Sequence, residues 1–228
     1  MNHPLFPTRF AGGALVFGAV LALLGFFVRP VANDKSFTVD DILAIETASG
    51  VWVMSFRMLV FGLFVRLAGL VSLATFARAA GARAVVVPGV AISAAGLLVS
   101  AMVQGYYMDI ALHGAWRFAQ ESSAQGREAI LASWLPVDEW VSCLGRMGLM
   151  FLGLGSVVLG LGLRAEVPAV VGWGLVAVGF AGMMGIFALP GSADVQTASF
   201  VGLALAHGLL GTVLAMQQMD SARNASPA

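Results

Sequence analysis

The sequence predicts an all-α membrane protein, with six transmembrane helices in a compact glycine-packed bundle and two short amphipathic helices at one interface. Three observations predict it. Of 228 residues, 59% are hydrophobic and only 11% are charged. A soluble domain carries about a quarter charged residues, so there is too little polar surface here to cover a globule. Six apolar runs reach the roughly 17–25 residues needed to cross hydrocarbon. Finally, many of the 28 glycines recur at seven-residue spacing within those runs.

The first run, 11–28, follows Arg9 and precedes Pro30-Val31-Ala32. It exceeds the roughly 7–15 apolar residues of a signal peptide, and no small-x-small cleavage pattern follows, so it reads as a retained span. The connection 29–50 contains "SFTVDDILAIETASGVW", in which Thr38 stands three residues before Asp41, ahead of Ile42, Leu43 and Ile45. That is a capping-box pattern opening a short amphipathic helix that lies on the interface. Spans 51–77 and 84–104 follow. The connection 105–140 repeats the device: "GREAILASWLPVDEW" sets Ile130, Leu131 and Trp134 before a turn at Pro136. Spans 141–163, 167–189 and 195–216 complete one membrane domain over 1–228. Short connections at 78–83, 164–166 and 190–194 make hairpins of spans two and three, four and five, and five and six. Trp52, Trp116, Trp134 and Trp140, with Tyr106 and Tyr107, are spaced to form an aromatic belt at the interface.

Orientation follows from arginine and lysine near the span ends. Arg9, Arg78, Arg83, Arg164 and Arg223 against Glu166 and Asp220 give one face a net +3. The other face holds Arg29, Lys35, Arg117 and Arg127 against the ten remaining acids, a net −6. Both termini are therefore expected in the cytoplasm, with the two long acidic connections outside.

Composition removes several function classes. Cys143 is the single cysteine, which excludes an internal disulfide and a thiolate metal site. His3, His113 and His207 share no ligand spacing, so no metal is expected, and no motif specifies a cofactor. A formal net charge of zero gives no reason to expect nucleic acid as a partner. Gly172-x-Gly174-x-x-Ala177 matches a dinucleotide fingerprint only on paper, because it lies inside a span with no strand before it.

The glycine stripes are a packing code. Gly148, Gly155 and Gly162 form one row of the fourth span, with Gly153 and Gly160 on another; Gly89 and Gly96 mark the third span, Gly172 and Gly179 the fifth. In lipid, helices associate by close backbone approach through small residues. An internal duplication is also suggested. "ILAIETASGVWVMSFRMLVFG" and "ILASWLPVDEWVSCLGRMGLMFLG" both run Ile-Leu-Ala, Trp, Arg-Met, then an apolar span, which pairs Arg57 with Arg146.

Three arginines and one histidine lie within the spans: Arg57, Arg66, Arg146 and His207. They are the candidate ligand-binding residues. Arg57 and Arg146 sit about 9 Å inside their span starts, from which a long side chain can snorkel outward. Asp109, Asp138, Glu139 and Asp194 are the candidate ion-pair partners that would lock that end of the bundle. Arg66 is about 22 Å deep and His207 about 18 Å. Arg66 is therefore expected to point into the bundle, with His207, Ser72, Ser156 and Thr212 among the groups available to solvate it. Arg57 and Arg66 are nine residues apart, which puts them on opposite faces of their helix.

From the fourth span onward an apolar glycine-rich run is followed by Leu-Arg-x-x-Val-Pro and "AVVGWGLVAVG". Arg164, Val167, Pro168, Trp173, Gly174 and Leu175 carry a resemblance to an uncharacterised bacterial six-helix membrane family, catalogued only as a domain of unknown function. The resemblance implies a fold and a bacterial inner membrane but no activity. The sequence is read first as a non-enzymatic accessory or assembly protein, packing in the bilayer against other membrane subunits or itself. The alternative is a small transporter or a lipid-, quinone- or anion-binding protein that uses its intramembrane arginines. An enzyme is the least supported reading, since no acid–base pair or nucleophile constellation appears.

Overall fold

Apolar helices in lipid gain little by hiding from their surroundings, so their arrangement is fixed by where backbones can touch. The computed structural model describes residues 6–30, 38–75 and 80–224, with side chains omitted at 6–8, 80, 135 and 217–224. These residues form helices α1 (Phe6–Val28), α2 (Val39–Thr47), α3 (Ser49–Leu73), α4 (Ala80–Tyr106), α5 (Leu112–Gln120), α6 (Ala124–Leu163), α7 (Ala169–Ala188) and α8 (Ala193–Asn224). A π-helical turn, Tyr107–Ala111, joins α4 to α5. Six helices are long and apolar enough to cross a membrane. Among the described residues there is no strand.

The six long helices close into a ring in chain order, α1–α3–α4–α6–α7–α8, with α8 returning against α1. Four sides of the ring are joined backbone to backbone through glycine. A Cβ added at Gly18 lies 2.7 Å from the Gly62 carbonyl, and one added at Gly62 lies 2.7 Å from the Gly18 carbonyl. The same reciprocal approach joins Gly96 with Gly148 (α4/α6), Gly153 with Gly179 (α6/α7), and Gly12 with Gly211 (α1/α8). The remaining two sides are seams of another kind. No glycine of α3 or α4 faces the other helix, and the glycines between α7 and α8 meet side chains of Val178, Val195 and Ser199 at 3.0–3.5 Å. The ring thus divides into two glycine-joined blocks, α8–α1–α3 and α4–α6–α7. Large apolar side chains such as Phe61, Met102, Phe180 and Leu205 cover the outside.

At one end of the ring α2 packs against α5. The capping box that opens α2 is present: Thr38 N–H donates to Asp41 Oδ2 at 2.8 Å and Asp41 N–H donates to Thr38 Oγ1 at 3.2 Å. Two expectations are corrected here. Pro136 marks no turn, because α6 runs through it from Ala124 to Leu163 as one 40-residue helix; the N–H that proline lacks would have bonded the carbonyl of exposed Ala132. Nor do the four tryptophans form a common belt. Trp116 and Trp140 are exposed, but Trp52 is buried and donates Nε1–H to the Tyr107 carbonyl at 2.9 Å. The π turn shifts the hydrogen-bond register at that carbonyl, which gives the indole an acceptor. The Trp134 indole packs against Gly114 of α5.

Candidate functional site

The deepest polar groups converge from three helices. Arg66 of α3, His207 of α8 and Ser156 of α6 are each fully buried. The stem of Arg66 is admitted by Gly18 of α1, where a Cβ would lie 2.7 Å from Arg66 Cγ. From there Arg66 Nη2 stands 3.0 Å from His207 Nδ1 and 3.4 Å from the Leu203 carbonyl. His207 Nε2 stands 3.0 Å from Ser156 Oγ, which itself bonds the Leu152 carbonyl at 2.7 Å.

The direction of this chain follows from what each group can do. A guanidinium only donates, so His207 Nδ1 accepts and the ring is neutral with its proton on Nε2. Nε2–H then donates to Ser156 Oγ, and the hydroxyl proton goes to the Leu152 carbonyl. Donors and acceptors alternate without conflict from α3 through α8 to α6. Two groups are left over: Arg66 Nε and Nη1 are buried and have no partner among the described residues. Ser93 Oγ of α4, packed onto Gly155, is a third buried polar atom without a partner.

Arg66 and His207 are the only two of the four candidate residues brought together. Arg57 is exposed, on the side of α3 away from Arg66. Arg146 donates from Nη1 to the Pro190 carbonyl at 3.2 Å, in the connection between α7 and α8. The expected ion-pair lock is therefore corrected: no carboxylate among the described residues is within ion-pair distance of either arginine. Each acid is engaged or turned elsewhere. Asp138 accepts from Tyr107 Oη at 3.0 Å, Asp109 of the π-helical turn faces His113 of α5, and Glu139 and Asp194 are exposed. Of the hydroxyls available to Arg66, Ser72 and Thr212 bond their own helices, at Ala68 and Gly208, and Ser156 serves through His207. Gly18 and the Leu203 carbonyl carry no sequence signal of a site; only the crossing of α1 and α8 with α3 reveals them. Among the described residues no cluster of three His, Cys, Asp or Glu could hold a metal.

Comparison with known proteins adds no relative: no family model matches the chain, and neither a curated protein nor a solved structure does.

Proposed function

We propose that the protein is a small carrier of the bacterial inner membrane, with both termini cytoplasmic, that moves a solute past the buried polar layer by rocking its two three-helix blocks. The observation that carries this is where the layer lies. Arg66 and His207 belong to one block and Ser156 to the other, so the His207–Ser156 hydrogen bond spans the junction between them. Carriers place their sites near the bilayer midplane between two bodies, and alternating access is largely rigid motion of one body against the other. Glycine-joined backbones keep each block rigid, whereas the side-chain seams can slide. A charged residue at this depth is costly, and in membrane proteins it marks a working site by default. The +3 and −6 faces support the orientation, and the resemblance around Arg164–Leu175 supports the membrane.

Spin labels test the motion. In a Cys143→Ser background, one pair at Phe61 and Trp173 reports across the blocks and another at Phe17 and Phe61 reports within one; all three positions are exposed. Electron–electron distance measurements in lipid nanodiscs are expected to give two populations for the first pair and one for the second. A single narrow population for both pairs sinks the carrier reading and favours a subunit that only scaffolds. Orientation is tested by a membrane-impermeant thiol reagent on spheroplasts carrying Ser122→Cys. Labelling is expected, and protection reverses the topology.

A further inference from the structure

Arg66 offers donors that the protein does not use. Its Nη2 is committed to His207 and Leu203, while Nε and Nη1 have no acceptor in a fully buried setting. The guanidinium keeps its charge at any ordinary pH. Among the described residues no carboxylate bonds to or pairs with Arg66. His207 turns an acceptor nitrogen toward Arg66 and is neutral, so it brings no negative charge. The layer therefore supplies hydrogen-bond donors and one positive charge, and lacks the matching acceptor and negative charge.

Resting on the carrier reading, we infer that Arg66 is the solute-binding group and that the solute is a small monovalent oxyanion of the carboxylate class. Nη1–H donates to one of its oxygens; Nε–H, on the opposite edge of the guanidinium beside Nη2, is left to a second acceptor. The bond from Nη2 to His207, backed by Ser156, holds the guanidinium in place, so these two are positioning residues. One charge on the solute follows from one guanidinium, since a dianion brings an uncompensated charge out of water. Oxygen follows from the donors, because a charged N–H bonds an anionic oxygen at short distance and about twice as strongly as a neutral pair. Small size follows from enclosure, since Arg66 is fully buried. Gly18 sits against the Arg66 stem, and the α1/α3 crossing leaves no room for a methyl group there.

The test is thermal unfolding of the purified full chain in nanodiscs, at constant ionic strength, in sodium formate, acetate, chloride or sulfate. A ligand that binds only the folded state raises the midpoint in a saturable way. Formate and acetate are expected to raise it relative to sulfate and chloride, with affinity weakened at least tenfold in Arg66→Met. Arg66→Lys, which keeps the charge without the planar guanidinium and its hold on His207, is expected to weaken binding also, and it serves if Arg66→Met fails to fold. An equal rise in chloride overturns the oxyanion class. No carboxylate-specific rise in the wild type, or an unchanged rise in both variants, overturns the site. Acetate binding without cross-block motion leaves the site standing and removes the carrier; motion without acetate binding does the reverse.

Discussion

The pair α1/α3 and the pair α4/α6 are two versions of one packed unit. Gly25 meets the Ser55 carbonyl and the backbone of Leu59, and Gly96 meets the Gly148 carbonyl and the backbone of Leu152. Gly62 rests on Ala22 as Gly155 rests on Ser93, and Gly69 on Leu15 as Gly162 on Val86. Each contact in α1 recurs 71 residues later in α4, and each in α3 recurs 93 later in α6. On that register Gly18 faces Arg66 where Gly89 faces Leu159. The comparison isolates the charge. One backbone arrangement accepts a leucine in one copy and an arginine in the other, so packing alone does not call for Arg66. The copies differ also in their third helix, since α8 joins α1 while α7 joins α6, and this brings His207 to Arg66 on one side only.

The shared frame is the feature whose loss matters most. Gly25→Val and Gly96→Val each push a branched side chain onto a facing backbone that cannot withdraw, and overpacking of this kind costs about 3 kcal/mol or more. Both variants are expected to lose folded protein to a similar extent, read by size-exclusion chromatography and thermal unfolding in detergent. Gly202→Val, on the α7/α8 seam with only a Val178 methyl at 3.4 Å, is expected to cost far less. If the seam variant is as damaging as the other two, the division into rigid blocks is wrong.

Arg66→Leu is the next largest effect, and it falls on binding. It copies Leu159 into the equivalent site and removes a buried charge that no acid compensates. Replacing buried ionic groups with well-packed apolar ones is often stabilising, by about 1–4 kcal/mol; here His207 Nδ1, left buried without its partner, offsets about 1–3 kcal/mol. The two terms nearly cancel, so the folded protein is expected to be about as stable as the wild type, with carboxylate binding gone. A drop of several kcal/mol in denaturant or thermal unfolding assigns Arg66 to the frame instead.

Ser156→Ala removes the His207 bond between the blocks and leaves Arg66–His207 in place, together with the cross-block bond from Ser199 Oγ to the Gly182 carbonyl at 3.4 Å. The expected cost is about 1–3 kcal/mol, because His207 Nε2–H is left buried without its acceptor, with the cross-block distance distribution moved toward its second population. An unchanged distribution means that the seam side chains, not this bond, set the resting state.

These comparisons also mark how far the sequence could be read. The six spans were legible because length and apolarity are local properties, and the glycine rows because seven-residue spacing returns to one helix face. The depth of Arg66 and His207 was legible from distance along their helices. The duplication was legible, but in the wrong register. Matching Arg57 to Arg146 implies a shift of 89 residues, while the packing requires 93. The difference is four residues, close to one helical turn, so the same face is presented and a string of residue types cannot tell the two apart. The Arg57 and Arg146 ion pairs failed for a related reason. Nearness to a span end says nothing of rotation about the helix axis, and Pro190, whose carbonyl takes Arg146, carries no charge to notice.

The smallest expected effect lies where α5 turns into α6, away from the ring. Glu121 Oε1 accepts from both the backbone N–H and the hydroxyl of Ser123 at 2.8 Å, and Ser123 Oγ caps α6 by accepting from Gly126 N–H at 3.0 Å. The backbone bond from Ser123, then its hydroxyl, holds the Glu121 carboxyl below the ordinary value of 4.5, with Arg127 adding to the effect. A folded-state pKa below the unfolded one means a contribution that is complete above the unfolded value and is lost as pH falls through the folded one. The contribution is small because the carboxylate is screened by solvent. The midpoint gap between wild type and Glu121→Gln, which removes only the charge, is therefore expected to be small and constant from pH 8 down to about pH 5. Below pH 4.5 it should close, as the wild-type carboxyl takes up its proton. A gap that persists at pH 3 places the contribution in the shape of the turn and not in the charge of Glu121.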